Sequence, residues 1–82
     1  MTVQRGAPEP PSVQLAEIIR GQIRNGELPP GSALPSIVRL AGQYHLATST
    51  VVKAIRLLKA EGLVFGVAGH GTFVSREAPR QP

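Results

Sequence analysis

LPSIVRLAGQYHLATSTVVKAIRLLKAEGL, residues 34–63, is the stretch whose reading decides the fold. Pro35 followed by Ser36 marks a helix start, because a serine hydroxyl at the N-cap accepts a hydrogen bond from a backbone N–H of the first turn. The glutamate that would complete a capping box is missing; Arg39 stands there. Ile37, Leu40, Ala41 and Tyr44 then recur at helical spacing, which predicts a helix over 37–44 with those four buried. His45 comes where the chain must turn sharply, and histidine enters the left-handed region more readily than most residues. Leu46 returns to the core. A second helix is expected from Ala47 or Thr48, with Thr48 able to replace the weak cap that Ala47 offers, through to Glu61. Gly62 is the natural left-handed residue beyond its end. Val51, Ala54, Ile55 and Leu58 form its inner face, so Thr48, Ser49, Thr50, Val52, Lys53 and Arg56 are left for the outside.

Working outward, residues 63–67 and 72–75 have β character, and Ala68-Gly69-His70-Gly71 between them reads as a hairpin turn. On the N-terminal side, Ser12 is a candidate cap for a helix running to about Asn25. Leu15, Ile19 and Ile23 line one face of it, with Ile18 beside them. Gly26 is its expected left-handed terminator. Gly21 lies inside it, at a cost near ~1 kcal/mol against alanine. Pro29, Pro30 and Gly31 stop any helix, and Ala33-Leu34 is short enough only for a minimal strand against the hairpin. The expected fold is mainly α with a small β-hairpin: three helices plus a two- to three-stranded antiparallel wing, that is, a winged helix-turn-helix. Its expected limits are 12–75, between an arm at 1–11 and a tail at 76–82. Both termini lack periodicity and read as disordered. Arg5, Arg76 and Arg80 within them could reach phosphates, although fraying is the simpler reading.

Eighty-two residues allow one domain with a small core, burying roughly 60% of the unfolded surface. With no cysteine, neither a disulfide, a thiolate metal site nor a cysteine nucleophile can form, which fits a reducing cytoplasm. The five acidic residues are all glutamate and lie scattered, so no Ser-His-Asp triad and no carboxylate pair is suggested. Two histidines, in a turn and on a wing, do not make a metal site. Gly69-His70-Gly71 is too short to cradle a phosphate. An enzyme is therefore not expected, and neither a cofactor nor a small-molecule ligand is implied. No apolar run approaches the ~20 residues of a membrane span, and the N-terminus has no signal-peptide core. The formal net charge of +4 favours a polyanion.

Several motifs carry a resemblance in order along the chain. They are Gly26-Glu27-Leu28-Pro29-Pro30-Gly31, Leu34-Pro35-Ser36, Leu40-Ala41, Thr50-Val51, Glu61-Gly62-Leu63-Val64 and Gly69-His70-Gly71-Thr72-Phe73-Val74. The stretch is similar to the N-terminal domain of the GntR family of bacterial transcription regulators. That resemblance implies a helix over 48–61 that reads double-stranded DNA in the major groove, and a wing tip at 68–71 in the minor groove. Ser49, Thr50 and Gly69 match the family pattern. At Val38, Thr48 and Val52 similar proteins commonly carry arginine. The resemblance also implies a transcriptional regulator, expected to act as a repressor. It leaves open whether the chain is a module on its own or the DNA-binding head of a larger ligand-responsive regulator.

The candidate DNA-binding set is then Ser36, Arg39, Thr48, Ser49, Thr50, Val52, Lys53, Arg56, Gly69, His70 and Gly71. The hydroxyls suit bases or phosphates, Lys53 and Arg56 suit phosphates, and Val52 suits the methyl group of thymine. Two copies are expected to associate only on neighbouring half-sites. The competing reading is a winged-helix module for protein association, with the outer face of the second helix docking a partner protein.

Overall fold

A proline pair opens the first helix. In the computed structural model, which describes residues 3, 6 and 8–76, helix α1 spans Pro11–Arg24. Pro11 sits in the first turn, where the missing N–H would have no partner and the fixed φ suits a helix. The cap is the carbonyl of Pro10, which accepts from Val13 N at 3.0 Å and Gln14 N at 3.1 Å. Ser12, the expected cap, lies inside the helix and caps nothing. The helix ends at Arg24, one residue short of the expected Asn25. Asn25 caps it, and Gly26 follows in the left-handed region at φ +89.

Helix α2 spans Ile37–Tyr44. Ser36 caps it as expected, its hydroxyl accepting from Arg39 N at 3.1 Å. His45 closes it in the left-handed conformation, φ 56 and ψ 48. Leu46 N then donates to Ala41 O at 2.9 Å, and its side chain packs against the core. Helix α3 spans Thr48–Ala60. Ala47 is its cap residue with no side-chain hydrogen bond, so Thr48 does not take that role. Glu61 caps the far end instead of closing the helix, and Gly62 turns the chain at φ +77.

Strands β1 (Val64–Val67) and β2 (Gly71–Val74) pair antiparallel, Val64 opposite Val74 and Val67 opposite Gly71. Gly71, expected in the turn, is the first residue of β2. The short segment before α2 joins through a single bridge, Ala33 to Phe73, with Leu34 N donating to Thr72 O at 2.8 Å. This fixes the root of α2 to the wing.

α3 is the hub, packed against α1, α2 and β1. Leu15, Ile19 and Ile23 of α1, Leu40 and Ala41 of α2, and Val51, Ala54, Ile55 and Leu58 of α3 form one core, closed by Leu34, Leu63, Val64 and Val74. Val3 and the half-buried Tyr44 lie against it. Ile37 departs from expectation. It is 37% exposed, because its place at the first position of α2 turns it towards the wing instead of under the helix. The remaining residues of the expected arm and tail, Arg5 and Arg80 among them, lie outside the described residues.

Candidate nucleic-acid interface

The buried stripe of α3 fixes what the rest of the helix can present. With Val51, Ala54, Ile55 and Leu58 inward, the opposite face carries Ser49, Lys53, Arg56 and Ala60, all exposed. Thr48, Val52 and Lys59 share one flank; Thr48 and Lys59 are exposed and Val52 is half-buried. That flank faces the hairpin. The Lys59 ammonium lies 3.2 Å from where a Cβ on Gly66 of β1 would stand. Thr50 occupies the other flank and is half-buried. The candidates on α3 therefore divide: Ser49, Lys53 and Arg56 lie together outermost, Thr48 and Val52 face the wing, and Thr50 stands apart.

The wing tip is a tight turn. His70 N donates to Val67 O at 2.9 Å, and Gly69 sits third in the turn at φ +78. A positive φ at that position alone is the type II pattern, which calls for glycine. A Cβ on Gly69 would meet nothing within 4 Å, so backbone conformation and not crowding selects glycine there. Gly69, His70 and Gly71 are all exposed.

Wing, α2 and α3 meet at a cleft of about 250 Å³ lined by Leu34, Pro35, Ser36, Ile37, Ile55, His70, Gly71 and Thr72. The structure thus brings Ser36 and His70, distant in the sequence, to one place. Arg39 is exposed on α2 but does not line the cleft. Sequence reasoning missed Lys59, Ile37 and Thr72 as parts of this surface. The helical spacing of Lys59 with Thr48 and Val52 was the available signal for the first; the other two depend on how the wing folds back.

Charge is separated across the molecule. Glu61, the acidic group nearest the end of α3, is held by Arg20 of α1, whose Nε donates to Glu61 Oε1 at 2.8 Å. Arg20 also pairs with Glu17. The hydrogen bond from Arg20 pulls the Glu61 carboxyl below its ordinary value and raises the Arg20 guanidinium. Among the described residues, Arg39, Lys53, Arg56 and Lys59 make no salt bridge. The outer side of α3 is basic and carries no acid.

Three helices with a helix-turn-helix at α2–α3 and an antiparallel hairpin beyond it define a winged helix-turn-helix module. Residues 11–74 match the family described as bacterial regulatory proteins, gntR family, and the chain belongs to it. It is 38% identical over 81 residues to the HTH-type transcriptional repressor NagR of Bacillus subtilis (strain 168), across 99% of this chain and 33% of that protein. It is 35% identical over 72 residues to the arabinose metabolism transcriptional repressor of Geobacillus stearothermophilus, across 88% of this chain and 20% of that one. The chain thus spans a third or less of the length of these relatives. Among solved structures it resembles AraR(DBD) in complex with operator ORX1, with a TM-score of 0.85 and 30% identity over 92% of this chain and 95% of that one. YtrA from Sulfolobus acidocaldarius, a GntR-family transcription factor, gives a TM-score of 0.86 and 34% identity over 93% and 80%.

Proposed function

We propose that this chain binds double-stranded DNA sequence-specifically in the cytoplasm and regulates transcription, as a repressor. The observation that carries the reading is the outer side of α3: exposed Thr48 and Ser49 in the first turn, then Lys53 and Arg56, with the glycine-tipped wing alongside. B-DNA's major groove admits one α-helix, and the N-terminal residues of a recognition helix reach base edges. α3 enters the groove by its first two turns, Lys53 and Arg56 meet phosphates, and Gly69 lets the wing tip approach the minor groove. Ser36, His70 and Gly71 flank the backbone between them, and Arg39 contacts it from the outer face of α2. The repressor names of NagR and the arabinose regulator, and the operator bound to AraR(DBD), support this direction.

Docking of a partner protein on α3 finds less support. The outermost face is Ser49, Lys53, Arg56 and Ala60, which offers little apolar area, whereas protein interfaces are depleted of charge at their centre. Selection from random duplexes at low salt, followed by gel-shift measurement on the recovered sequence, tests the proposal. Recovery of a shared motif that binds more tightly than shuffled DNA is expected. Uniform weak binding to all duplexes would reduce the activity to charge alone. Two copies are expected to pair only on adjacent half-sites, one or two helical turns apart.

A further inference from the structure

Base pairs in the major groove are told apart mainly by paired donors and acceptors: Arg or Lys on guanine, Asn or Gln on adenine, Glu or Asp on cytosine. Over residues 48–55 of α3, the side chains outside the core are Thr48, Ser49, Thr50, Val52 and Lys53. Three are hydroxyls, which donate or accept and so suit several bases. Lys53 alone belongs to the discriminating types. Val52 is the one apolar side chain in the set, placed on the flank that faces the wing. It is half-buried, so its base is packed while part of its isopropyl surface stays open. A β-branched side chain in a helix holds essentially one rotamer. The open methyl surface therefore has a fixed direction.

We propose that Val52 reads the C5-methyl group of a pyrimidine as such, so that the chain accepts 5-methylcytosine in place of thymine and distinguishes methylated from unmethylated DNA. The inference rests on the placement of α3 in the major groove argued above. The C5-methyl group is the apolar feature of that groove, and 5-methylcytosine carries it on the same ring atom as thymine. The two bases differ at C4, a carbonyl oxygen against an amino group. Valine has no polar atom with which to sense that exchange, and the neighbouring hydroxyls of Thr48 and Ser49 can donate to the one or accept from the other.

The test uses the full chain and the duplex recovered by selection. Each thymine is replaced in turn by uracil, which removes the methyl group alone. At the position showing a loss, cytosine and 5-methylcytosine, each opposite guanine, are then compared. Burying one methyl group predicts about a fourfold weaker affinity on passing from thymine to uracil. The same step predicts about a fourfold tighter affinity on passing from cytosine to 5-methylcytosine at that position. Val52→Ala should bring both ratios close to one, with its melting temperature recorded alongside. If that variant does not fold, the two ratios measured on the parent chain still decide, because a shared methyl contact requires them to match. A uracil penalty without a 5-methylcytosine gain, or ratios unchanged in a folded Val52→Ala, overturns the methyl reading and leaves DNA binding standing. Failure to recover any bound duplex overturns the DNA reading beneath it.

Discussion

His45 and Gly21 show the same conformational rule working in opposite directions. His45 holds φ 56 and ψ 48, a region where a side chain is strained, because the turn between α2 and α3 requires it. Gly21 pays the opposite penalty: it keeps a freedom that its helical position never uses. A Cβ built there meets nothing within 4 Å, and its φ is not positive. Close packing does not account for this glycine. Gly21→Ala is therefore expected to stabilise the fold by about 1 kcal/mol, through the unfolded chain's lost entropy and better helix propensity. For a domain of this size that is a rise in melting temperature of roughly 4–8 °C. Differential scanning calorimetry reads it directly. An unchanged or lower midpoint would mean that α1 is frayed at Gly21 in solution, or that the added methyl group is not free of contacts there.

At the level of elements, α3 is the helix on which the proposed function rests, yet its start is weakly made. Ala47 caps it with a backbone carbonyl only, accepting from Thr50 N at 3.0 Å, and Ala47 is exposed. Ala47→Ser supplies the missing side-chain acceptor and is expected to stabilise by about 1 kcal/mol. Ala47→Asp should do at least as well for the fold, because its charge also complements the helix dipole. The two should differ on DNA. In the proposed binding mode the aspartate would stand at the end of α3 that enters the groove, so it should weaken binding severalfold by repulsion from phosphate, while the serine leaves affinity near that of the parent. Equal affinity for both variants would place the start of α3 away from DNA. The helix-turn-helix itself was legible in the sequence because its signals are local: the Ser36 cap, the apolar spacing of α3, His45 at the turn and Gly62 beyond Glu61. What was not legible depended on neighbours distant in the chain. The spacing that put Ile37 on a buried face could not show that the wing leaves that edge open. Helical spacing already sets Thr50 and Val52 on opposite flanks of α3, and the position of the hairpin adds which of the two flanks faces the wing. The start of α1 was misread because Ser12 carries the cap signal, while the proline pair before it sets the boundary through a backbone carbonyl.

Across the whole molecule, the decisive arrangement is the separation of charge, and Arg20 maintains it. Its contacts with Glu61 span 41 residues and tie the end of α3 to α1. Because Arg20 holds the Glu61 carboxyl below its ordinary value of 4.5, the folded state prefers the carboxylate. The stability this supplies is complete above that value and is lost as pH falls through the depressed one. Replacing Glu61 by Gln should therefore lower the melting temperature at neutral pH and make little difference in strong acid; a gap that persists in acid would give the contact a role other than charge. With Glu61 held on the α1 side, Lys53 and Arg56 face solvent with no acid across from them. If each neutralises one phosphate, log K should fall linearly with log salt, and Lys53→Ala or Arg56→Ala should each reduce the slope by about 0.9 while weakening all sequences alike. Arg24 supplies the control, since it too is exposed but lies on α1 beside the Arg20–Glu61 pair. Arg24→Ala removes the same net charge and should leave the slope unchanged. Equal flattening by all three variants would mean that DNA responds to the total charge of the chain, and the outer face of α3 would lose its place as the surface that meets the phosphates.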